Sequence, residues 1–293
     1  MKAPIIQAIV GPTAVGKTAY AIETALKHNG EVVSVDSRQV FRELNIGTAK
    51  PSREELAAVP HHFIDEKSLT EPFSAGIFAE EATKRLVDIL SRGKTPILCG
   101  GSTLYVQALV QGLADVPAVD PQVRINLMAE LEERGSFALY EELKLADPIF
   151  AQSLDATKTQ RLIRGLEVFR GTGKPLSYFH QRPTKPPFEF EVIVVTRNRA
   201  ILYERINQRV ELMLKDGLLE EVQGLLAAGF SPEINALKTI GYQEPISYLA
   251  GEMDYGRMVE LIKLNTRHYA KRQITWFKRF PCQKSLDKPI HSS

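Results

Sequence analysis

Gly11-Pro-Thr-Ala-Val-Gly-Lys17-Thr18 follows directly on the apolar run Ile5–Val10 and precedes a helix-length segment from Lys17 to His28. Glycines, a lysine and a hydroxyl at this spacing build a loop whose backbone N–H groups surround a phosphate chain. The strand, glycine-rich turn and helix around it predict a parallel α/β sheet with the loop at its carboxyl edge. Gly11, Thr13, Ala14, Val15, Gly16, Lys17 and Thr18 are therefore the candidate diphosphate cradle. Lys17 reaches the distal phosphates, Thr18 is placed to hold Mg²⁺, and the helix N-terminus adds partial positive charge. The loop specifies a di- or triphosphate and leaves open which one.

Outward from the loop, Glu31–Val35 reads as the next strand and Phe73–Leu90 as an amphipathic helix, with Phe78, Ala82, Leu86 and Ile89 at helical spacing. Thr95–Cys99 is a further buried strand, running into Gly100-Gly101-Ser102 and a helix over Thr103–Val110. The character then changes. Pro121–Arg134, Phe137–Leu145 and Thr157–Arg170 are helical with no convincing strand, opened by Asp120-Pro121 and stopped by Gly171-Thr-Gly173. A proline-rich hinge, Arg182–Pro187, leads back to a strand at Phe190–Thr196. The fold expected is a P-loop NTPase-like parallel sheet covered by helices, residues 1–111 and 188–293, with an all-helical insertion at 112–187. Helices at Ala200–Lys215, Leu218–Ala228 and Tyr255–Phe280 follow, and the tail Pro281–Ser293 is expected to fray.

The 293 residues suffice for an α/β core plus a smaller unit, and the net charge of +2 does not by itself indicate nucleic acid. Two cysteines, Cys99 and Cys282, are too few for a disulfide framework or a four-ligand zinc site, which predicts a reducing, cytoplasmic compartment. No run approaches the roughly 18 apolar residues of a membrane span, and the start lacks a signal peptide's pattern. His61 and His62 are adjacent and so point apart; they read as structural, not as metal ligands.

Asp36 stands at the carboxyl end of the second strand, followed by the polar cluster Ser37, Arg38 and Gln39, which suits a polar partner molecule. Leu261–Phe280 carries Lys263, Arg267, Lys271, Arg272, Lys278 and Arg279 with no acid, while Ile262, Tyr269 and Trp276 are expected to anchor it. One-signed charge of this length favours a phosphate backbone. Gln160, Arg161 and Arg164 lie along one helix of the insertion, with Arg124 on an earlier one. Arg205 and Arg209, four apart, suit either a diphosphate or a nucleic acid.

The phosphate loop, Asp36-Ser-Arg-Gln39, Asn45-Ile-Gly-Thr-Ala-Lys-Pro51 and Pro60-His-His62 occur in the order found in tRNA dimethylallyltransferases, also called tRNA isopentenyltransferases. Gly100-Gly-Ser-Thr-Leu-Tyr105, Arg161-Leu-Ile-Arg164 with Leu166-Glu-Val168, Arg205-Ile-Asn-Gln-Arg209, Gly241-Tyr242 and Tyr269-Ala-Lys-Arg-Gln-Ile-Thr-Trp276 complete the pattern. The chain resembles that family, in its bacterial form, from about Ile5 to Phe280. Ser102 stands where threonine is frequent, Phe41 where tyrosine is usual and His268 where glutamine is usual. The segment Asp155–Thr159 also departs from the common approach to Arg161.

The resemblance implies transfer of a dimethylallyl group from dimethylallyl diphosphate to N6 of adenosine 37, in tRNAs reading codons that begin with U. Its catalytic set is then Asp36 as the base, with Lys17, Thr18 and Arg205 at the leaving diphosphate and Arg209 beside them. The anticodon stem-loop is expected to meet Asp36, Ser37, Arg38, Gln39, Ser102 and Arg124. Gln160, Arg161, Leu162, Ile163 and Arg164 continue that surface, and Arg267, Lys271 and Arg272 add to it. Mg²⁺ is the expected metal, at Thr18, and the chain is expected to act as a monomer. ATP binding, suggested by the loop motif, belongs to the competing reading: a P-loop kinase acting on a nucleoside or small metabolite, indifferent to tRNA. A non-catalytic RNA-binding protein leaves the phosphate loop unexplained.

Overall fold

The computed structural model describes residues 4–181, 184 and 186–287. They divide into two compact units, one of residues up to Val110 together with those from Pro187 onward, the other of Gln111–Pro186. Arg182, Pro183 and Lys185 of the expected hinge, and residues 288–293 of the expected tail, lie outside the described residues.

The larger unit begins β1 (Ile5–Val10), α1 (Lys17–Lys27), β2 (Gly30–Val35), α2 (Arg53–Ala58), β3 (His61–His62), α3 (Ala75–Ser91), β4 (Thr95–Gly100) and α4 (Thr103–Val110). The helical unit holds α5 (Pro121–Ala146), α6 (Pro148–Ala151), α7 (Thr159–Thr172) and α8 (Leu176–His180). The chain then returns as β5 (Glu189–Thr196), α9 (Arg199–Lys215), α10 (Leu218–Ala227), α11 (Gln243–Leu249), α12 (Tyr255–Phe277) and β6 (Gln283–Ser285).

The strands form one parallel sheet in the order β3-β2-β4-β1-β5-β6. β1, β2 and β4 are buried along most of their length without alternation, because both faces are covered. Ile9, Val32, Ile97 and Val195 pack with Ala21 and Ala25 of α1, Leu202 and Ile206 of α9 and Ala270 of α12. Residues of opposite parity, Ala8, Val10, Val35 and Leu98, meet Val106 and Leu109 of α4. Register does the rest. Val10 aligns with Gly100 and Val194, and Val35 with Gly100, so three loops leave the sheet at one level. Gly11 leaves there at φ 152°, where a Cβ would stand 2.5 Å from the Val195 carbonyl oxygen.

Several local features differ from the sequence expectation. Gln283–Ser285 of the tail does not fray: it pairs with Val194–Thr196 as an edge strand, and Leu286 N–H donates to the Thr196 carbonyl. Along α12 the buried seam is Met258, Ile262, Ala270, Gln273 and Phe277, so Ile262 anchors the helix while Tyr269 and Trp276 are only half-buried. Helix α2 was not expected, although Ser52 and Glu55 form a reciprocal capping box at its start. His61 and His62 form a two-residue strand. His62 bonds Glu31 at 2.7 Å, and Arg92 holds the Glu31 carboxyl down at about 2.

The helical unit has its own core, including Leu127, Leu139, Leu143, Phe150, Leu162, Leu166 and Phe179. Pro121 and Asp120, whose side chain accepts from Gln122 N–H, start α5, and Gly135 at φ 75°, ψ 163° breaks it into two helical stretches. No helix among the described residues is long and apolar enough to cross a membrane.

Candidate active site

The site grows from the carboxyl edge of the sheet. Gly16 takes a left-handed conformation, φ 108°, and opens α1 without a side-chain cap. The first-turn N–H groups are thus left for an external acceptor, the usual basis of an anion site. Two arginines brace the loop: Arg205 Nε donates to the Ala14 carbonyl at 2.9 Å and Arg197 Nε to the Val15 carbonyl at 3.2 Å. Ala14 and Val15 are buried beneath. Lys17 Nζ donates to the Pro12 carbonyl at 2.8 Å. Lys17 is half-buried, and the desolvation of its ammonium pushes it down to about 8.

The loop faces a cavity of about 400 Å³ lined by Lys17, Thr18, Asp36, Gln39, Arg205 and Arg209, among others. A second cavity of about 470 Å³ is lined by Ser37, Arg38, Ser102 and Arg272 on its polar side. Ile206, Val210, Met213 and Ile262 give it an apolar wall. Thr13, Asp36, Thr48, Ala49, Arg209 and Tyr269 line both, so the chambers meet at these residues.

Asp36 follows β2 directly and is oriented by the turn that begins with it. Its Oδ1 accepts from Arg38 N–H at 2.8 Å and Gln39 N–H at 3.2 Å. The capping role and the functional role are therefore compatible, since one oxygen makes the turn and Oδ2 has no hydrogen bond among the described residues. Ser102, at the start of α4, is buried; its Oγ accepts from Ser37 N–H at 3.0 Å. Tyr269 is pushed up to about 12 by burial and then by the nearby Asp36 charge, while the Ser102 hydroxyl opposes the shift. Arg38 donates to Ser37 and Asn235, and burial lowers its pKa.

Several residues expected at an RNA surface are otherwise engaged. Gln39 spends its amide N–H groups on the Thr48 and Ala49 carbonyls, at 3.2 and 3.0 Å, and so shapes the loop between the chambers. Leu162 and Ile163 are fully buried in the helical core, so their side chains are not available to RNA: they lie on the apolar side of α7. Arg161 donates to Ser153 and lies over the Phe150 ring. Arg124 and Arg164 converge on Glu167 at 3.1 and 3.3 Å, and Arg124 also bonds Gln160 at 3.0 Å. On α12 the basic face is less one-signed in space than in sequence. Lys263 pairs with Glu211 at 2.5 Å and Arg267 donates to Asn207, whereas Lys271 and Arg272 stay exposed.

Among the described residues no group of three or more His, Cys, Asp or Glu is arranged to hold a metal. The donor set that exists, the Thr18 hydroxyl and the Asp36 carboxylate on one phosphate chamber, suits a hard cation completed by water and phosphate oxygens.

Sequence reasoning gave no role to Gln273, Arg197, Tyr242 or Glu221. Gln273 lies inside the quoted α12 motif, and a polar residue at a seam position was the available signal. Arg197 and Glu221 act through backbone groups far off in sequence, and Tyr242 through the Glu221 carboxylate, which no local pattern reveals.

A family model described as IPP transferase matches residues 39–280. A tRNA dimethylallyltransferase of Salinibacter ruber is 55% identical over 276 residues, covering 94% of this chain and 85% of the relative. One of Chlorobium phaeobacteroides is 46% identical, covering 97% and 91%. Among solved structures, the full-length tRNA isopentenylpyrophosphate transferase of Bacillus halodurans is 38% identical with a TM-score of 0.70, over 97% of this chain and 89% of that one. A eukaryotic dimethylallyltransferase acting on tRNA is 28% identical with a TM-score of 0.82, over 97% and 74%.

Proposed function

The chain belongs to the IPP transferase family, and from that premise we propose how its two chambers divide the work. The activity is transfer of a dimethylallyl group from dimethylallyl diphosphate to N6 of adenosine 37 in tRNA, with release of diphosphate. The phosphate-loop chamber takes the diphosphate; the larger chamber takes the adenine, turned out of its stack as any enzyme working on a base requires. The tRNAs used are those reading codons that begin with U. The observation that carries this reading is Asp36 at the junction, oriented by its own turn and with Oδ2 unspent.

The N6 amine is a weak nucleophile because its lone pair is delocalised into the ring. As N6 bonds to C1 of the allyl group, the C1–O bond breaks with its electron pair on the diphosphate, and the N6 proton passes to Asp36. Lys17, the α1 first-turn N–H groups, Arg205 and Arg209 face the charge that gathers on the leaving diphosphate, and stabilising such charge is usually the largest contribution to catalysis in sites of this kind. The Thr18 hydroxyl would hold Mg²⁺, which would supply positive charge against the leaving diphosphate. Ile206, Val210, Met213 and Ile262 keep water from the reacting atoms.

RNA affinity comes from Arg124, Gln160 and Arg164 on the helical unit and from Lys271 and Arg272 on α12. Arg267, tied to Asn207, contributes by holding that helix to α9. In this reading the chain works as a monomer. It works in the cytoplasm, in keeping with two free thiols.

Incubation with Mg²⁺, unmodified tRNA and labelled dimethylallyl diphosphate, followed by digestion of the RNA, should yield N6-dimethylallyladenosine from position 37. ATP consumed with a small acceptor, and no labelled RNA, would overturn the reading.

A further inference from the structure

Gln273 is 2% exposed on the seam of α12, between Ala270 and Phe277, where an apolar side chain would seat the helix equally well. Burying an amide is costly unless its polar atoms find partners, and here the oxygen and the nitrogen each have one. Its Oε1 accepts from the Thr13 N–H at 2.9 Å, and its Nε2 donates to the Gly101 carbonyl at 2.8 Å. One side chain therefore joins the phosphate loop after β1 to the glycine turn after β4. The fit leaves no slack: a Cβ on Gly101 would lie 2.5 Å from Gln273 Nε2, 3.0 Å from the Gly11 carbonyl oxygen and 3.5 Å from Lys17 Nζ. Thr13, Gly101, Lys17 and Gln273 itself all line the diphosphate chamber.

We propose that Gln273 is a positioning residue for the leaving diphosphate. It claims the Thr13 N–H, so that the anion is received by Lys17 and the N–H groups further along the loop, and it sets the distance from the loop to Gly101. Thr13 thus contributes through its place in the loop, with its N–H already spent. This inference rests on the proposed use of the chamber for diphosphate, and it adds a residue whose side-chain oxygen and nitrogen are bonded to the loop and the turn.

Calorimetry of inorganic diphosphate binding with Mg²⁺ tests it in wild type, Gln273→Met and Gln273→Glu. Methionine keeps the volume and removes both hydrogen bonds; glutamate keeps the acceptor and loses the donor. Expected is a loss of diphosphate affinity of about tenfold for the first and a smaller or equal loss for the second, with kcat lowered and KM for tRNA unchanged. Wild-type affinity and turnover in both variants would overturn the proposal, as would an equal rise in the KM for tRNA, which marks a general packing role. Absence of diphosphate binding in the wild type would instead sink the assignment of the chamber. Should neither variant fold, NMR of the unmutated protein decides: the Gln273 side-chain amide signals shift when diphosphate is added, or the proposal fails.

Discussion

The Arg38 backbone N–H donates to Asp36 Oδ1 at 2.8 Å, and this bond aims the carboxylate across the junction of the two chambers. The base and the turn that presents it are one device. Asp36→Asn preserves the acceptor that makes the turn and removes proton-accepting ability. It should lower the rate of single-turnover prenyl transfer by about 10²–10⁴-fold while KM for tRNA stays near wild type. Asp36→Ala, which also releases the Arg38 and Gln39 N–H groups, should add a loss of tRNA affinity. An asparagine variant with normal turnover would return Asp36 to a capping role alone.

Lys17 gives the site a pH dependence of known sign. Its ammonium falls from an ordinary 10.5 to about 8 through burial. Between those values the unfolded chain binds one more proton than the folded chain, so this group alone makes stability rise with pH there. Diphosphate binding needs the ammonium and runs the other way. Affinity for inorganic diphosphate should fall by up to about tenfold per pH unit above pH 8. In Lys17→Arg the dependence should vanish, because a guanidinium does not titrate in this range.

How much of this was legible in the sequence follows from the range of the interactions involved. The phosphate loop, Asp36 at a strand end and the helical insertion are written in contiguous residues, where spacing and burial pattern carry the signal. The α12 stripe misled because charge along one helix says nothing about Glu211 on α9, which pairs with Lys263 across 52 positions. Leu162 and Ile163 fell within a motif whose arginines point one way and whose apolar side chains point the other. Gln273 and Glu221 act on backbone groups 172 or more positions away, so only the folded chain reveals their partners. The edge strand at 283–285 is exposed and polar, with no apolar run to announce it.

Glu167 holds two arginines of the helical unit, Arg124 at 3.1 Å and Arg164 at 3.3 Å. Its near-complete burial makes it the fixed partner and leaves the guanidinium groups at the surface. Arg124→Ala and Arg164→Ala should each weaken binding of an anticodon stem-loop and reduce the slope of log affinity against log salt by about 1. Prenyl transfer at saturating tRNA should change little. Filter binding across a salt series separates this from an effect on chemistry, which would appear in kcat.

The wall between the chambers depends on a carboxylate that lines neither of them. Glu221 on α10 accepts from the N–H groups of Asn45, Ile46 and Gly47, at 3.2, 2.9 and 3.4 Å, and from the buried Tyr242 hydroxyl at 2.6 Å. Burial, then the Glu221 charge, keeps that phenol protonated well above its ordinary range. The segment so held continues into Thr48 and Ala49, which line both chambers and whose carbonyls Gln39 also grips. Tyr242→Phe removes one bond of four and should cost about 1 kcal/mol in unfolding free energy, with activity nearly intact. Glu221→Ala strands three N–H groups and a phenol, so the loop should loosen before the sheet does. Hydrogen exchange should quicken at residues 45–47 and KM should rise for both substrates, since one wall serves two chambers. A rise for tRNA alone would mean that the loop shapes only the adenine side, and that the diphosphate chamber keeps its form through Gln273 and the arginines that brace the phosphate loop.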